Sequence, residues 1–398
     1  MAQGIQVGSL PILALVYNPS QFGVQAVFVS IANLLSVLAT ARYEMAIVLP
    51  KSSEKAKQLV TLSLVILSLI CVISIPVFIL TSKYISYLLK VPEISMVLFL
   101  LPLSIIGSGA FQIFYNWCLR LNSFKSLAFA RMGQNLFTFI FSILFGLFSK
   151  SPFGLIYGFI LGQLGGGFLM LYLARTHSSY IFQFMNWKEL KLLAIEYKSF
   201  PGINAIHALA DSGFTNGLTF IISALFGQTI LGYFSIAFKL LRIPLAFVGG
   251  AVAQVLFPQF AEMHHENSLN KTIIKSMIMK MIWVAIPFFL LLAISAPIIF
   301  SFFMGNQWEN AGKIAQLLTP WLFLNFIFSP FSNLPTVLGK QKEFFYITLF
   351  GNLVALSVLY GTAQFWSENK LPLLSFSICC GLLNLYLLFW CLKILPKK

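Results

Sequence analysis

The sequence predicts an all-α membrane protein of about twelve spans, built as two repeats of six. Three observations carry that prediction. Hydrophobic residues make up 59% of the chain and charged residues 9%, against about 45–50% and about 25% in ordinary soluble domains. Apolar runs of about 18 residues or more recur from end to end, each long enough for a hydrocarbon core of about 30 Å. The chain also repeats itself at a fixed offset. Gly23 and Gly232 differ by 209, Pro50 and Pro258 by 208, and Pro102/Pro320 and Gly133/Gly351 by 218.

The spans are predicted at 2–17, 22–49, 59–80, 95–115, 126–148 and 154–174, then at 200–225, 228–258, 281–303, 314–338, 344–365 and 371–392. An NPSQ turn separates the first two, SKSPF the fifth and sixth, and FGQT the seventh and eighth. The expected domains are a six-helix lobe at 1–175, a polar amphipathic connector at 176–199 and a second six-helix lobe at 200–398. Repeats in the same orientation imply lobes related by an axis along the membrane normal. Subtracting 209 from the start of the seventh span falls before Met1, so the first span is about ten residues shorter than its repeat partner. An abbreviated amino terminus and an internal start codon both account for this.

Net charge is +15, spread over loops and helix ends. No basic block interleaved with aromatics is present, so nucleic acid is not an expected partner. Alternate loops differ sharply in charge. One set holds Lys51, Lys55, Lys57, Arg120, Lys125, Arg175, Lys188, Lys191 and Lys198, with more to follow; the other holds only Lys83, Lys90, Lys150, Lys313 and Lys370. The positive-inside rule then makes both termini and the connector cytoplasmic, which requires an even number of spans. Cys71, Cys118, Cys379, Cys380 and Cys391 lie in or beside apolar spans without metal-ligand or CxxC spacing, so neither a metal nor a disulfide framework is expected. No charged segment followed by a cleavage site opens the chain, and a cleaved signal peptide is not expected.

Ionic side chains well inside the spans are the informative exception. Asp211, Lys239 and Arg242 lie roughly 16–21 Å from the turn that joins the seventh and eighth spans, at about 1.5 Å per residue. Each such charge costs on the order of 2.5–3.5 kcal/mol on insertion scales, so each is expected to face a polar cavity, a partner or a charged substrate. Lys239 and Arg242, at i and i+3, share a helix face and can bind an anion; one of them can equally serve to neutralise Asp211. Asn204, His207, Asp211 and Thr215 form a polar stripe at spacings of 3, 4 and 4. That stripe suits either an H+ or Na+ coupling site or a static charge pair. Arg42 and Glu44 are two apart and are expected on different faces, unable to pair. Arg42 and Arg131 complete the set of candidate cavity cations, with snorkelling and membrane orientation as their plainer roles.

The stretch NPSQFGVQAVFVSIANLLSVLATARYEMAIVLPKSSEKA resembles the second-span region of the oligosaccharide flippases of bacterial polysaccharide synthesis (Wzx-like), within the multidrug/oligosaccharidyl-lipid/polysaccharide (MOP) exporter superfamily. GYFSIAFKLLRIPLAFVGGAVAQVLFPQFAE and the GNQWENAGK to SPFSNLPTVLGKQK region are similar to it as well. The resemblance implies a two-lobed fold of twelve helices around a central cavity that opens alternately to either side. It implies a bacterial inner-membrane protein that moves undecaprenyl-diphosphate-linked oligosaccharide from the cytoplasmic to the periplasmic leaflet for surface polysaccharide or O-antigen synthesis. Membrane lipids, and beyond them a polysaccharide polymerase and chain-length machinery, are the implied partners.

Two other functions compete. A drug/cation antiporter of the same superfamily calls for several carboxylates in one lobe, whereas Asp211 is the one acid deep in a span. A membrane polymerase or glycosyltransferase calls for a large periplasmic loop or an acidic metal-binding site, and neither is visible; no enzyme and no cofactor is expected. Asp211→Asn separates the two roles of that acid. Loss of coupling is expected to leave abundance normal and transport insensitive to an imposed proton or sodium gradient, while loss of a structural pair is expected to lower abundance.

Overall fold

The computed structural model describes residues 2–149, 151, 153–177, 181–182, 185–266, 268–366 and 368–395, with side chains except at 2, 3, 6, 203, 207, 211, 244, 246, 247 and 251. Among these residues the regular structure is entirely helical. The amino-terminal half runs α1 (Ala2–Val16), α2 (Pro19–Leu38), α3 (Ser53–Leu89), α4 (Leu101–Arg120), α5 (Phe124–Ser149) and α6 (Phe153–His177). The connector carries α7 (Trp187–Glu196). Then follow α8 (Ala205–Pro244), α9 (Gly250–His265), α10 (Lys271–Met304), α11 (Glu309–Phe328), the short α12 (Leu334–Val337), α13 (Gln341–Phe365) and α14 (Lys370–Ile394).

Ten helical stretches among the described residues are long and apolar enough to cross a membrane, and Val7–Val16 is a shorter apolar helix. One of the ten, Ala208–Ile243, is broken at Gly227, whose φ of 77° and ψ of 177° no helix allows. Only glycine adopts that backbone cheaply, so the FGQT turn divides α8 into two legs. With α1 and both legs of α8 counted, each of the twelve predicted spans contains a long helical segment.

Local sequence sets the ends. Asn18 accepts from the Gln21 N–H at 3.1 Å while the Gln21 side chain accepts from the Asn18 N–H at 2.8 Å, a reciprocal cap with Pro19 in the first turn. Asn186 and Glu189 cap α7 in the same way. The second predicted span does not continue as one α-helix. α2 stops at Leu38, Ala41 and Arg42 take left-handed φ values of 47° and 64°, and a tighter 3₁₀ stretch covers Tyr43–Val48.

Residue contacts group the chain into two units, Met1–Gly232 and Tyr233–Lys398. This division falls inside the second leg of α8, not in the 176–199 connector, because the turn region of α8 is tied to amino-terminal helices. The Ser223 hydroxyl donates to the Leu89 carbonyl at 2.7 Å, and the Gln228 amide donates to Glu93 Oε1 at 3.2 Å. The repeat-related glycines close the same junction reciprocally. A Cβ on Gly23 would lie 1.8 Å from the Gln228 carbonyl oxygen, and a Cβ on Gly232 would lie 1.7 Å from that of Pro19. Pro19 and Gln228 are themselves 209 apart, so the contact follows the internal repeat.

Within the first unit, α6 lies against α5 along Gly158, Gly162 and Gly166, which face Ser142, Thr138 and Gln134 in turn. Small residues at four-residue spacing let two backbones approach where lipid supplies no hydrophobic drive for association. A Cβ on Gly162 would sit 1.9 Å from Thr138 Oγ1 and 2.9 Å from its Cα, so α5 would have to move. Gly361 on α13 has nothing within 4 Å of its Cβ position. The two positions should respond with opposite signs in a thermal unfolding measurement on detergent-purified protein. Gly162→Ala is expected to cost about 1–3 kcal/mol, and Gly361→Ala to gain about 0.5–1 kcal/mol.

Candidate functional site

The close approach of α5 and α6 forms one wall of a cavity of about 380 Å³ inside the first unit. α2 contributes Asn33 and Ser36, α4 contributes Ser104, Ser108 and Gln112, α5 contributes Arg131 and Gln134, α6 contributes Gln163, and Arg42 enters from the turn after α2. The polar groups already hold one another in place. Gln134 donates to Gln163 at 2.7 Å, and the Ser36 and Ser108 hydroxyls are 2.8 Å apart. Each glutamine still has hydrogen-bonding capacity beyond that bond, an amide oxygen on one and an amino group on the other. Such a lining suits a hydroxyl-rich ligand.

Arg42 is oriented by its left-handed backbone. Helical spacing would send it and Glu44 to different faces, yet Arg42 Nη1 lies 3.6 Å from Glu44 Oε1. The expectation that the two cannot pair is therefore overturned, because α2 has ended and the i, i+2 rule of a helix does not hold across residues at φ 47° and 64°. Glu44 is 1% exposed and also accepts from the Thr40 hydroxyl. Arg42 Nε is buried with no hydrogen-bond partner among the described residues. A guanidinium has five N–H donors, so the single carboxylate leaves this one under-satisfied.

Arg131 is held differently. Its guanidinium stands 5.2 Å from the Phe111 ring centroid and 5.4 Å from that of Tyr115, two rings stacked 6.0 Å apart. The aromatic faces satisfy the flat side of the cation and leave its N–H edge available for a planar or tetrahedral oxyanion. No carboxylate lies within ion-pair distance of Arg131 among the described residues.

Arg120 supports this site from outside it. Its fork donates to the carbonyls of Ile47 (3.3 Å), Lys51 (3.2 Å) and Ser52 (3.3 Å), and to Pro50. These carbonyls belong to the end of the 3₁₀ stretch that follows Arg42 and to the turn that leads from it into α3. Sequence reasoning treated Arg120 only as a loop charge.

In the second unit, Arg242 is exposed and its guanidinium stands 5.1 Å from the Phe238 ring; Phe238 stacks on both Phe234 and Trp321. Lys239 is half-buried, and neither cation lies within ion-pair distance of a carboxylate among the described residues. Asn204 is exposed at the end of a π-helical turn, Phe200–Asn204, and Thr215 is half-buried on the first leg of α8. Neither lines the cavity of the first unit. The side chains of His207 and Asp211 lie outside the described residues. The uncharged lining (Asn33, Ser36, Ser104, Ser108, Gln112, Gln134 and Gln163) was missed in the sequence, although Ser104, Ser108 and Gln112 repeat every four residues and so mark one face of α4.

A family model described as polysaccharide biosynthesis protein matches residues 12–313. The chain belongs to that family. It is 24% identical over 326 residues to the succinoglycan biosynthesis transport protein ExoT of Rhizobium meliloti (strain 1021), covering 79% of this chain and 62% of that protein. It is 25% identical over 189 residues to the amylovoran biosynthesis protein AmsL of Erwinia amylovora, covering 46% and 45%. The chain thus spans less than two thirds of the length of these curated relatives. Among solved structures, an inward-facing multidrug resistance MATE family transporter of the MOP superfamily superposes with a TM-score of 0.71 at 10% identity, covering 99% of this chain and 94% of that one. The lipid II flippase MurJ in an inward closed conformation gives 0.71 at 13% identity, covering 98% and 85%. The fold is the MOP-type fold of a multi-pass membrane protein.

Removing the Arg120 fork tests the support of the site. Arg120→Ala is expected to cost on the order of 1–2 kcal/mol by freeing partly buried carbonyls. Arg120→Lys is expected to restore only part of that, because one ammonium cannot reach the same spread of acceptors. Thermal unfolding of the purified variants reads both.

Proposed function

We propose that the protein moves a lipid-linked oligosaccharide from the cytoplasmic to the periplasmic leaflet of a bacterial inner membrane, for the assembly of an extracellular polysaccharide. The observation that carries this reading is a cavity that joins Arg42, whose Nε is buried without a partner among the described residues, and the exposed Arg131, which has no carboxylate partner among them, to a lining of amides and hydroxyls. An anionic sugar or a diphosphate meets the arginines, and sugar hydroxyls meet Gln134, Gln163, Ser36 and Ser108. Family membership and the transport and biosynthesis names of its relatives favour the same cargo class.

On this reading the carrier is undecaprenyl diphosphate, whose prenyl tail remains in lipid while the head enters the polar space. Lys239 and Arg242 are the candidate anion-binding cations of the second unit, and the Asn204, His207, Asp211, Thr215 stripe supplies H+ or Na+ coupling or a charge pair. The basic loops make both termini cytoplasmic. The role is transport, with no catalytic step, and a polymerase acts on the delivered units. A cation antiporter is disfavoured because the charged residues lining the cavity are both bases, and the carboxylate paired with Arg42, that of Glu44, is also engaged by Thr40.

Arg131→Ala, and Arg42→Ala combined with Glu44→Gln so that no buried carboxylate is left unpaired, are expected to remove most surface polysaccharide while the protein remains at normal abundance in the membrane. Lipid-linked repeat units should accumulate in the cytoplasmic leaflet, measured by accessibility to a membrane-impermeant reagent in inverted vesicles. Wild-type polysaccharide from both variants would remove the anion-cavity reading.

A further inference from the structure

A second depression in the first unit has no part in that cavity. About 540 Å³ in volume, it lies between α3 and the connector and is lined almost wholly by apolar groups. Thr61, Leu64, Ser68 and Val72 form its wall on α3, and Phe182 and Leu190 form its wall on the connector. The α3 residues follow one another at 3, 4 and 4, so they make a single face that runs about 16 Å along the helix at ~1.5 Å per residue. Ser68 and Val72 are exposed, and the groove opens at the flank of a helix that is itself apolar enough to span a membrane. What faces it is therefore lipid.

Its connector end is cationic. Lys57 sits one turn before Thr61, whose hydroxyl donates to the Lys57 carbonyl at 3.2 Å. The Arg175 guanidinium stands 5.5 Å from the ring of Phe182, a wall of the groove. Lys188 and Lys191 flank Leu190 on α7 and are exposed. Beside them Trp187 is 70% exposed, and Leu192 and Ile195 are exposed too. A helix showing lysines together with tryptophan and aliphatic side chains on its free flank suits the headgroup layer. Glu196 does not cancel this charge, because it is bound to Lys55 at 2.6 Å.

We infer that this groove is a binding site for an anionic phospholipid, with one acyl chain along the 61–72 face of α3 and the headgroup phosphate among Lys57, Arg175, Lys188 and Lys191. The inference requires only that the chain spans a membrane and is independent of the proposed cargo. It also has a consequence for the polar cavity. α7 accepts a hydrogen bond from Tyr43, the neighbour of Arg42, through the Ala194 carbonyl at 2.9 Å. A lipid that fixes α7 against α3 thereby fixes the turn that presents Arg42.

The test uses the full chain purified in detergent, to which phosphatidylglycerol or phosphatidylcholine is added. Retained lipid is counted by native mass spectrometry and the unfolding midpoint is measured. Phosphatidylglycerol is expected to remain bound and to raise the midpoint, whereas phosphatidylcholine and glycerol 1-phosphate are expected to do neither. Lys188→Glu combined with Lys191→Glu should abolish the preference. Ser68→Trp, which fills the groove from an exposed position, should abolish retention of either lipid. Equal retention of the two phospholipids by the unaltered protein would overturn the inference, as would a wild-type response in both variants.

Discussion

A guanidinium in a membrane must be met by something, since hydrocarbon offers it no solvation. The arginines of this protein differ in how completely they are met, and that difference sorts structure from function. Arg120 has five backbone carbonyls, which makes it a fastener. Among the described residues, Arg42 has one carboxylate and a buried N–H without a partner, and Arg131 has two aromatic faces and no carboxylate. These two also line a single polar cavity, where the proposed anion would find unengaged donors. Arg131 is exposed to the cavity and Arg42 keeps one buried N–H without a partner among the described residues, and such a donor is costly to leave unmet.

The cavity exists because of a packing decision made elsewhere. Glycines along α6 let α5 approach closely enough for Gln134 to bond Gln163, and Arg131 lies one turn from Gln134 on α5. On the opposite side, the left-handed pair Ala41–Arg42 ends α2 early and turns a cation inward that a continuous helix would have placed on another face. The site is thus built from one very regular element and one irregular turn. Arg120 and Tyr43 hold the turn from two directions.

Much of this was legible in the chain. The 209-residue offset of Gly23 and Gly232 marks a real junction, because both glycines lie at one backbone crossing where a Cβ would collide. The FGQT turn is readable from its glycine, which the structure uses at positive φ. Other features were hidden for physical reasons. Nothing in Ala41–Arg42 announces a left-handed turn, since neither residue favours that region, and so a helical spacing rule was applied where the helix had stopped. The uncharged lining was overlooked because the cost of charge in lipid draws attention to ionic residues, while a sugar is recognised mainly by amides and hydroxyls. The attachment of α8's turn region to the amino-terminal helices was also invisible, because it depends on two long-range hydrogen bonds, Ser223 to Leu89 and Gln228 to Glu93.

The central claim is that the arginine-bearing cavity of the first unit receives the anionic part of a glycolipid. A cryo-electron microscopy structure of the purified protein with an undecaprenyl-diphosphate-linked oligosaccharide tests it most directly. The account expects phosphate or carboxylate oxygens within hydrogen-bonding distance of Arg42 and Arg131, with sugar density against Gln134 and Gln163. Bound glycolipid that leaves this cavity filled only with water would contradict it.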